Sequence, residues 1–259
     1  MKYITKKNDD GKVVKLKNYK RRAKINKIKR KLLLISLLLI ILMIILLFAP
    51  FMQIRHINCT GNGKVTSEEI ISASNIKTGD NIIRTGKGKA IDSIENIPYV
   101  KSAEIIKKYP STINIKITEC QVYSYIEKNK EFIYLDETGK VLEISDKKPE
   151  DKVPVLENLK ITENNVNDVI GFENSGHIFI YKALIQTLEN STFAGMVTAI
   201  DISDVNKIKF TVNENFTVVL GDIYNLNYKI NIMASNAYNS PESTKSGTLN
   251  IIDGKAYLD

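Results

Sequence analysis

The longest apolar run in the chain has no polar face. Residues 32–49 read LLLISLLLIILMIILLFA, with one serine and no charged side chain. Together with residues 50–52, the run reaches the roughly 20 residues that cross a hydrocarbon core, and a segment in lipid must be helical to satisfy its own backbone. A buried helix of a water-soluble protein would show a polar face, and a cleaved signal peptide has a shorter apolar stretch. The pattern predicts a retained transmembrane helix over residues 32–52.

The charges that flank this run predict its orientation. Residues 1–31 contain 14 Lys and Arg and two acids, a net of +12, whereas the whole chain carries +8, which leaves −4 for the remainder. Because an excess of Lys and Arg stays in the cytoplasm, we expect residues 1–31 to be a basic cytoplasmic tail and residues 53–259 to lie outside. The polar residues 1–19 are expected to be disordered. A protein that binds nucleic acid would carry its basic residues on a folded surface, which this sequence does not indicate.

Short strand and helix patterns follow the apolar run. We predict a strand at 54–59, helices beginning near 65 and 90, and strands at 100–108 and 111–119. The first helix should begin with Thr66 or Ser67 as its N-cap, and the last two strands should form a hairpin around Tyr109-Pro110. The order β-α-α-β-β over residues 53–121 has the size of a small domain.

The remainder, residues 122–259, is richer in strand patterns. Strands are predicted at 123–127, 131–135, 140–144, 153–156, 197–202, 208–212, 216–220, 248–252 and 256–258, and helices at 177–190 and 225–236. Asp253-Gly254 is a strong hairpin signal between the last two strands. The predicted fold class is therefore α+β: one N-terminal transmembrane helix, the β-α-α-β-β domain, and a mostly antiparallel α+β domain with helices on one face.

Both cysteines, Cys59 and Cys120, lie in the part predicted to be outside, where a disulfide would be stable. Cys59 is two residues after Ile57 and shares its apolar face, whereas Cys120 has the opposite parity to Ile117. We therefore expect one core thiol, Cys59, and one surface thiol, Cys120. A bulge that reversed the parity would instead permit a disulfide.

No pattern of residues points to catalysis or to a bound cofactor. His56 and His177 lie in different predicted domains, and no Cys/His cluster has the spacing of metal ligands. Residues 86–89, Gly-Lys-Gly-Lys, share only composition with a phosphate-binding loop, since Ala90 takes the hydroxyl position. Ser175 lies near His177 without the elbow motif of a hydrolase. We expect no enzyme activity, no metal ion and no cofactor.

Several short motifs stand in a fixed order along the chain. They are Ile54-x-x-Ile57-x-Cys59-x-Gly61-Asn62, Val65-Thr66-Ser67-Glu68-Glu69-Ile70, Gly79-Asp80-Asn81-Ile82-Ile83, Ile97-Pro98-Tyr99-Val100-x-x-Ala103, Lys107-Lys108-Tyr109-Pro110-Ser111-Thr112-Ile113-x-Ile115, Tyr134-Leu135-Asp136-x-x-Gly139-x-Val141, Val153-Pro154-Val155-Leu156, and Phe216-Thr217-Val218-x-Leu220-Gly221 with Leu226-x-x-Lys229-Ile230. Their order, from about residue 25 to 258, resembles the FtsQ/DivIB family of bacterial division proteins, which have a basic tail, one membrane helix, a POTRA domain and a β domain. The family usually has Glu-Arg and a nearby Pro where this chain has Glu119-Cys120, so the hinge between the domains departs from the pattern.

The resemblance implies a function without catalysis. Members of this family act as scaffolds that bind FtsL and an FtsB/DivIC-type coiled-coil partner at the division septum, and link them to septal peptidoglycan synthesis. The resemblance therefore implies membrane partners and neither a nucleic acid nor a small-molecule substrate.

The last predicted strand is the candidate site for such a partner. A strand at the edge of a sheet offers unpaired backbone groups to a strand of another protein. We expect Lys255, Ala256, Tyr257 and Leu258 to form this edge, with Tyr257 as an aromatic anchor. The alternative is an interior or frayed strand, since chain termini often fray. Residues 101–108 are a second candidate edge.

Two other functions would suit an anchored outer region. A POTRA module for secretion or outer-membrane assembly would carry a C-terminal barrel of many alternating segments, for which this chain lacks the length. A signal-anchored cell-wall enzyme would need convergent catalytic groups, and the sequence nominates none.

Overall fold

The chain begins with a small hairpin. A computed structural model of the protein describes residues 5–7, 9–11, 13–15, 19–47, 50–150, 152–191, 195–213, 216–239, 247–252 and 255–258. Strands β1 (Thr5–Lys7) and β2 (Val13–Lys15) pair antiparallel, and Gly11 between them has φ +71°. The prediction that residues 1–19 are disordered is therefore wrong for these strands. Glycine adopts the left-handed conformation of such a turn without strain. The polar composition of residues 1–19 alone did not indicate this hairpin.

One helix, α1 (Tyr19–Leu47), carries both the end of the basic segment and most of the apolar run. Pro50–Met52 form a 3₁₀ turn, so the helix ends earlier than the predicted span 32–52, of which residues 48–49 lie outside the described residues. In the described part of the chain, no helix is both long enough and apolar enough to cross a bilayer. The large apolar side chains described from Leu32 to Ile45 are exposed.

A three-stranded sheet and two helices come next. Their bounds are β3 (His56–Thr60), α2 (Ser67–Ser74), α3 (Lys87–Glu95), β4 (Val100–Lys108) and β5 (Thr112–Glu119). The strands lie in the order β3-β5-β4, and the predicted β-α-α-β-β sequence of elements is confirmed. The predicted cap is also confirmed, since the hydroxyl of Thr66 accepts a hydrogen bond from the N–H of Glu69 at 3.2 Å.

A larger sheet follows. The remaining elements are β6 (Ser124–Lys128), β7 (Glu131–Leu135), β8 (Val141–Ser145), β9 (Val155–Glu157), β10 (Ile161–Glu163), β11 (Gly171–Phe172), α4 (Gly176–Glu189), β12 (Val197–Asp201), β13 (Ile208–Val212), β14 (Phe216–Gly221), α5 (Leu226–Asn239), β15 (Gly247–Ile252) and β16 (Lys255–Leu258). Nine strands form one sheet in the order β16-β15-β14-β13-β12-β9-β6-β7-β8, and β10 pairs with β11 alone. The sequence did not predict β10 and β11, because two or three residues are too few to show an alternating pattern.

The large sheet is mixed in direction. Five neighbouring pairs are antiparallel and three are parallel, namely β14 with β15, β12 with β9, and β6 with β9. The prediction of a mostly antiparallel sheet is therefore confirmed, with a parallel part that it did not include. Parallel neighbours need a crossover connection, which contains α5 between β14 and β15, and α4 between β9 and β12.

Helix α4 packs on the large sheet and fills its main core. Its buried side chains are His177, Ile180, Tyr181, Leu184, Ile185 and Leu188. The fully buried Tyr181 donates a hydrogen bond to the backbone carbonyl of Asp136 at 2.6 Å, and its hydroxyl lies 2.9 Å from that of Ser124. Burial raises the pKa of Tyr181, so the hydroxyl stays neutral. Its hydrogen bonds join α4 to β6 and to the residue that follows β7.

The two cysteines do not lie as predicted. Cys59 is on the face of Ile57 but only half-buried, whereas Cys120 is buried in a second apolar cluster with Tyr125 and Tyr134. Both are free thiols, and burial raises the pKa of Cys120 to about 11. The prediction of a surface thiol at Cys120 is wrong because β5 ends at Glu119, so the parity of that strand no longer applies to the next residue.

The carboxylate of Glu119 holds the turn after β3. It accepts hydrogen bonds from the backbone N–H groups of Gly63, Lys64 and Val65 at 2.9–3.1 Å. Burial alone would raise the pKa of Glu119, but these three N–H groups outweigh it and hold the pKa below its usual value. The turn at residues 63–65 is thus bound to the last residue of β5.

Lys64 extends this network to β8. Its amine lies 3.1 Å from the carboxylate of Glu143 and 3.7 Å from the ring centre of Tyr99. The Tyr99 hydroxyl donates to Glu143 at 2.7 Å, and this bond is the main reason that the pKa of Glu143 is lowered. A second ion pair joins Lys101 to Glu137 at 2.6 Å. The small sheet is thereby linked to β7 and β8 by polar side chains.

The chain divides into two compact units. The first comprises Met1–His56, Lys77–Thr85 and Lys107–Ile113, and the second comprises Ile57–Ile76, Gly86–Ile106 and Asn114–Asp259. The first unit contains α1 and the segments around its end. The second contains the large sheet and the network of Glu119 and Lys64.

The Glu119 clamp predicts a stability effect with a defined pH dependence. Glu119→Ala should lower the free energy of unfolding by about 1–2 kcal/mol at pH 7, because three N–H groups lose a charged acceptor. A carboxyl group with a lowered pKa stabilises the fold above its unfolded pKa, about 4.5, and this contribution is lost as the pH falls through the folded value. Denaturant unfolding at pH 7 and pH 3 measures both effects.

The difference between wild type and Glu119→Ala should therefore shrink at pH 3. The exposed Glu131→Ala serves as the control and should cost little at either pH. Equal stability of Glu119→Ala and Glu131→Ala at pH 7 would contradict the role assigned to the clamp.

Candidate partner-binding edge

The last two strands form a hairpin at one end of the large sheet. In β15 and β16, Ile252 pairs with Lys255 and Leu249 pairs with Leu258, around residues 253–254, which lie outside the described residues. The hairpin predicted from Asp253-Gly254 is confirmed by this register. On its other side β15 pairs with β14. Among the described strands β16 is thus the outermost of the sheet and not an interior strand.

Side chains alternate along β16. Ala256 packs against the main core, whereas Lys255 and Tyr257 are exposed, Tyr257 over 49% of its surface. The side chain of Leu258 lies outside the described residues. A cation and an aromatic ring therefore stand on the outward face, beside the backbone groups of the edge. Such a surface suits the addition of a strand from another chain.

A cavity of about 530 Å³ opens beside the same hairpin. It is lined by Asn206, Leu220, Gly221, Asp222, Tyr224, Asn225, Tyr228, Lys229, Ile251 and Ile252. Tyr224 is 74% exposed, and Tyr228 and Ile252 are exposed as well. Aromatic and aliphatic side chains exposed next to a strand edge can receive an apolar side chain of a partner. The cavity thus enlarges the surface that the edge alone would offer.

Tyr224 and Tyr228 were not among the site residues predicted from the sequence. A usable signal was present, because the two tyrosines are four residues apart and lie off the apolar stripe of Leu226 and Ile230. Aromatic residues on the polar side of an amphipathic pattern have no place in the core of their own chain, so they point to a surface contact.

An ion pair between Lys229 and Asp222 lies in the lining of the cavity. The amine of Lys229 donates to the carboxylate of Asp222 at 2.7 Å and to its backbone carbonyl at 2.8 Å. The carboxylate also accepts from the N–H of Tyr224 at 3.0 Å. The bond from Lys229, followed by that from Tyr224, lowers the pKa of Asp222. These contacts set the path of the chain from β14 into α5.

The opposite end of the large sheet is partly covered. The N–H of Val141, at the start of β8, donates to the carbonyl of Asp168 at 2.8 Å, and the N–H of Asn167 donates to the carbonyl of Val141. Lys140 and Val169 form an isolated bridge in the same place. The described residues provide no such cover for β16. The second predicted edge, residues 101–108, falls in β4, which is an edge of the small sheet.

The residues considered for chemistry do not converge. No group of three His, Cys, Asp or Glu side chains among the described residues is arranged to hold a metal ion. His177 is buried at the start of α4, and neither of its ring nitrogens has a hydrogen-bond partner in that part of the chain. Ser175 therefore does not form a hydrogen-bonded pair with it.

Residues 52–119 match the family model of the FtsQ-type POTRA domain. The cell division protein DivIB of Clostridium acetobutylicum is 28% identical over 81% of this chain and 80% of the relative, and that of Clostridium botulinum strain Hall is 27% identical over 83% of each. DivIB of Bacillus subtilis is 31% identical over 66% of this chain and 62% of the relative. Over most of its length the chain is thus similar to DivIB cell division proteins, and residues 52–119 carry the pattern of an FtsQ-type POTRA domain.

The POTRA match agrees with the small sheet. It begins at Met52, the last residue of the 3₁₀ turn that follows α1, and it ends at Glu119, the last residue of β5. The match therefore contains the whole β-α-α-β-β set and the carboxylate that holds its first turn. The resemblance inferred from the sequence is confirmed, and the protein is related to cell-division proteins.

The ion pair of Lys229 with Asp222 in the cavity lining gives a prediction that can be tested by substitution. Lys229→Met should raise the pKa of Asp222 towards its usual value, because the main hydrogen bond that lowers it is removed. The ion pair stabilises the fold above about pH 4, and this contribution is lost as the pH falls through the lowered pKa. Because Asp222 is exposed, we expect the ion pair to contribute less than about 1 kcal/mol to the free energy of unfolding. Carboxyl carbon chemical shifts followed by NMR across this range measure the pKa.

The exposed Lys207→Met is the matched control and should leave the titration of Asp222 unchanged. If Asp222 titrates alike in wild type and Lys229→Met, the ion pair does not organise this turn.

Proposed function

We propose that the protein is a non-enzymatic scaffold of the bacterial division machinery, anchored in the cell membrane and located at the division septum. The observation that carries this proposal is the exposed edge strand β16, with Tyr257 on its outward face and a tyrosine-lined cavity beside it. Similarity to DivIB cell division proteins supports the cellular process. A scaffold requires a surface that binds other proteins and does not require a cluster of reactive groups.

The proposed anchor is the apolar part of α1. Residues 32–49 contain no charged side chain, and the large apolar side chains described from Leu32 to Ile45 are exposed. Exposed in water, such a surface would be costly, whereas lipid acyl chains would cover it. The basic residues before Leu32 would then hold the N-terminus in the cytoplasm and residues 53–259 outside.

We further propose that the outer region consists of a POTRA domain, residues 53–121, and a β domain, residues 122–259. The proposed partners are division proteins of the FtsL and FtsB/DivIC types. A strand of such a partner would pair with β16, and an apolar side chain of the same partner would contact Tyr257 or enter the neighbouring cavity. Main-chain hydrogen bonds would supply affinity in this mode and side-chain pockets would supply specificity.

The test is capture of the partner by edge variants. Full-length Tyr257→Pro, which removes a backbone N–H and the strand conformation, and Leu258→Glu should each reduce capture of a purified FtsB/DivIC-type partner at least about tenfold, the effect of losing one interface anchor. Tyr257→Phe keeps the ring and the backbone and is the matched control, which should retain capture.

Circular dichroism and hydrogen exchange of the other strands establish that each variant is folded. Undiminished capture by folded Tyr257→Pro and Leu258→Glu would exclude this edge as the binding site.

A further inference from the structure

Two loops flank the segment that leaves α1. The N–H of Ile54 donates to the carbonyl of Asp80 and the N–H of Gly79 donates to the carbonyl of Ile54, both at 2.8 Å. The N–H of Ile82 donates to the carbonyl of Met52 at 2.9 Å. The loop after α2 is therefore bound along one side of the segment that follows the helix.

The hairpin between β4 and β5 is bound to the same segment. The N–H of Arg55 donates to the carbonyl of Ser111 at 2.8 Å. Residues 50–56, 77–85 and 107–111, called the exit surface from here on, all belong to the first compact unit together with α1. Residue 50 is three positions after Leu47, so the exit surface begins within about 11 Å of the end of the helix.

The exit surface carries a charge of opposite sign to the rest of the outer region. Its charged side chains are Arg55, Lys77, Asp80, Arg84, Lys107 and Lys108, a net of +4. Residues 53–259 carry −4 in total, so the outer residues beyond the exit surface carry −8. Arg55, Lys77, Arg84 and Lys108 are exposed, whereas Lys107 is half-buried and donates to the carbonyls of Ile83 and Thr85.

Two aromatic side chains accompany these cations. Phe51, in the turn after α1, is 41% exposed, and Tyr109, at the tip of the hairpin, is 60% exposed. Aromatic rings with exposed cations beside them are typical of the interface between lipid and water, where the rings lie at the level of the headgroups.

We propose that the exit surface docks on anionic phospholipid headgroups of the membrane that holds α1. Arg55, Lys77 and Lys108 contact the headgroup phosphates, and Phe51 and Tyr109 enter the interface. Each cation near an anionic surface contributes about fivefold to the ratio of docked to undocked protein. The docked surface would set the orientation of the POTRA domain on the bilayer. The inference rests on the proposed anchor, which brings the surface to the membrane.

The experiment uses a fluorescent probe at the hairpin tip. The chain contains no Trp, so Tyr109→Trp introduces a single one. The full-length variant is reconstituted into vesicles of phosphatidylcholine alone or mixed with phosphatidylglycerol, each with a lipid that carries a nitroxide quencher on its headgroup. We expect stronger quenching in the vesicles with phosphatidylglycerol, and its loss in 1 M salt, where charges are screened beyond about 3 Å.

Charge variants test the cations named. In the Tyr109→Trp background, Lys77→Gln with Lys108→Gln should lower the ratio of docked to undocked protein about 25-fold, since two contributions of about fivefold are lost. Lys182→Gln with Lys207→Gln removes the same charge from exposed sites in the second unit and should not change the quenching.

Equal quenching in the two kinds of vesicle, or quenching unaffected by Lys77→Gln with Lys108→Gln, would overturn the proposal. A surface that instead binds an acidic protein would also give no quenching that depends on phosphatidylglycerol. Failure of the anchor is distinguished by flotation, because an anchored chain stays with phosphatidylcholine vesicles after an alkaline carbonate wash whether or not the exit surface docks.

Discussion

A β-sheet that does not close on itself must end in two strands whose outer backbone groups have no partner within the sheet. The large sheet of this protein meets that constraint differently at its two ends. At β8 the backbone of residues 167–169 covers the start of the strand, whereas at β16 the described residues provide no cover. The difference is the physical basis for assigning a binding function to β16. A surface left open by the fold is a candidate for a contact that the chain itself does not make.

Addition of a partner strand to β16, as proposed, requires that the rest of the large sheet be rigid. Helix α4 packs on its core, and the buried hydroxyl of Tyr181 joins that helix to Ser124 and to the carbonyl of Asp136. The clamp of Glu119 joins the turn after β3 to β5, and the ion pairs of Lys64 and Lys101 join this region to β8 and to the turn before it. Individually such exposed ion pairs stabilise little, so the buried core provides most of the rigidity and the polar contacts provide the geometry.

Local patterns in the sequence predicted the elements well where they were long or strongly marked. The N-cap at Thr66, the bounds of β4 and the terminal hairpin all follow from residue types that act over a few positions. The patterns failed where tertiary structure decides. Cys120 is buried because the chain turns after β5, and the cavity beside β16 depends on a parallel pairing of β14 with β15 that no local signal encodes. The edge itself was predictable, since a terminal hairpin places its last strand outermost whenever nothing else pairs with it.

The proposed place of action is the division septum, which the position of the protein in living cells tests. A fluorescent fusion to the full chain, expressed at the native level in dividing cells, should be concentrated as a band at midcell when the septum forms. Even staining of the membrane throughout the division cycle, with the fusion intact and able to replace the unlabelled protein, would contradict the account.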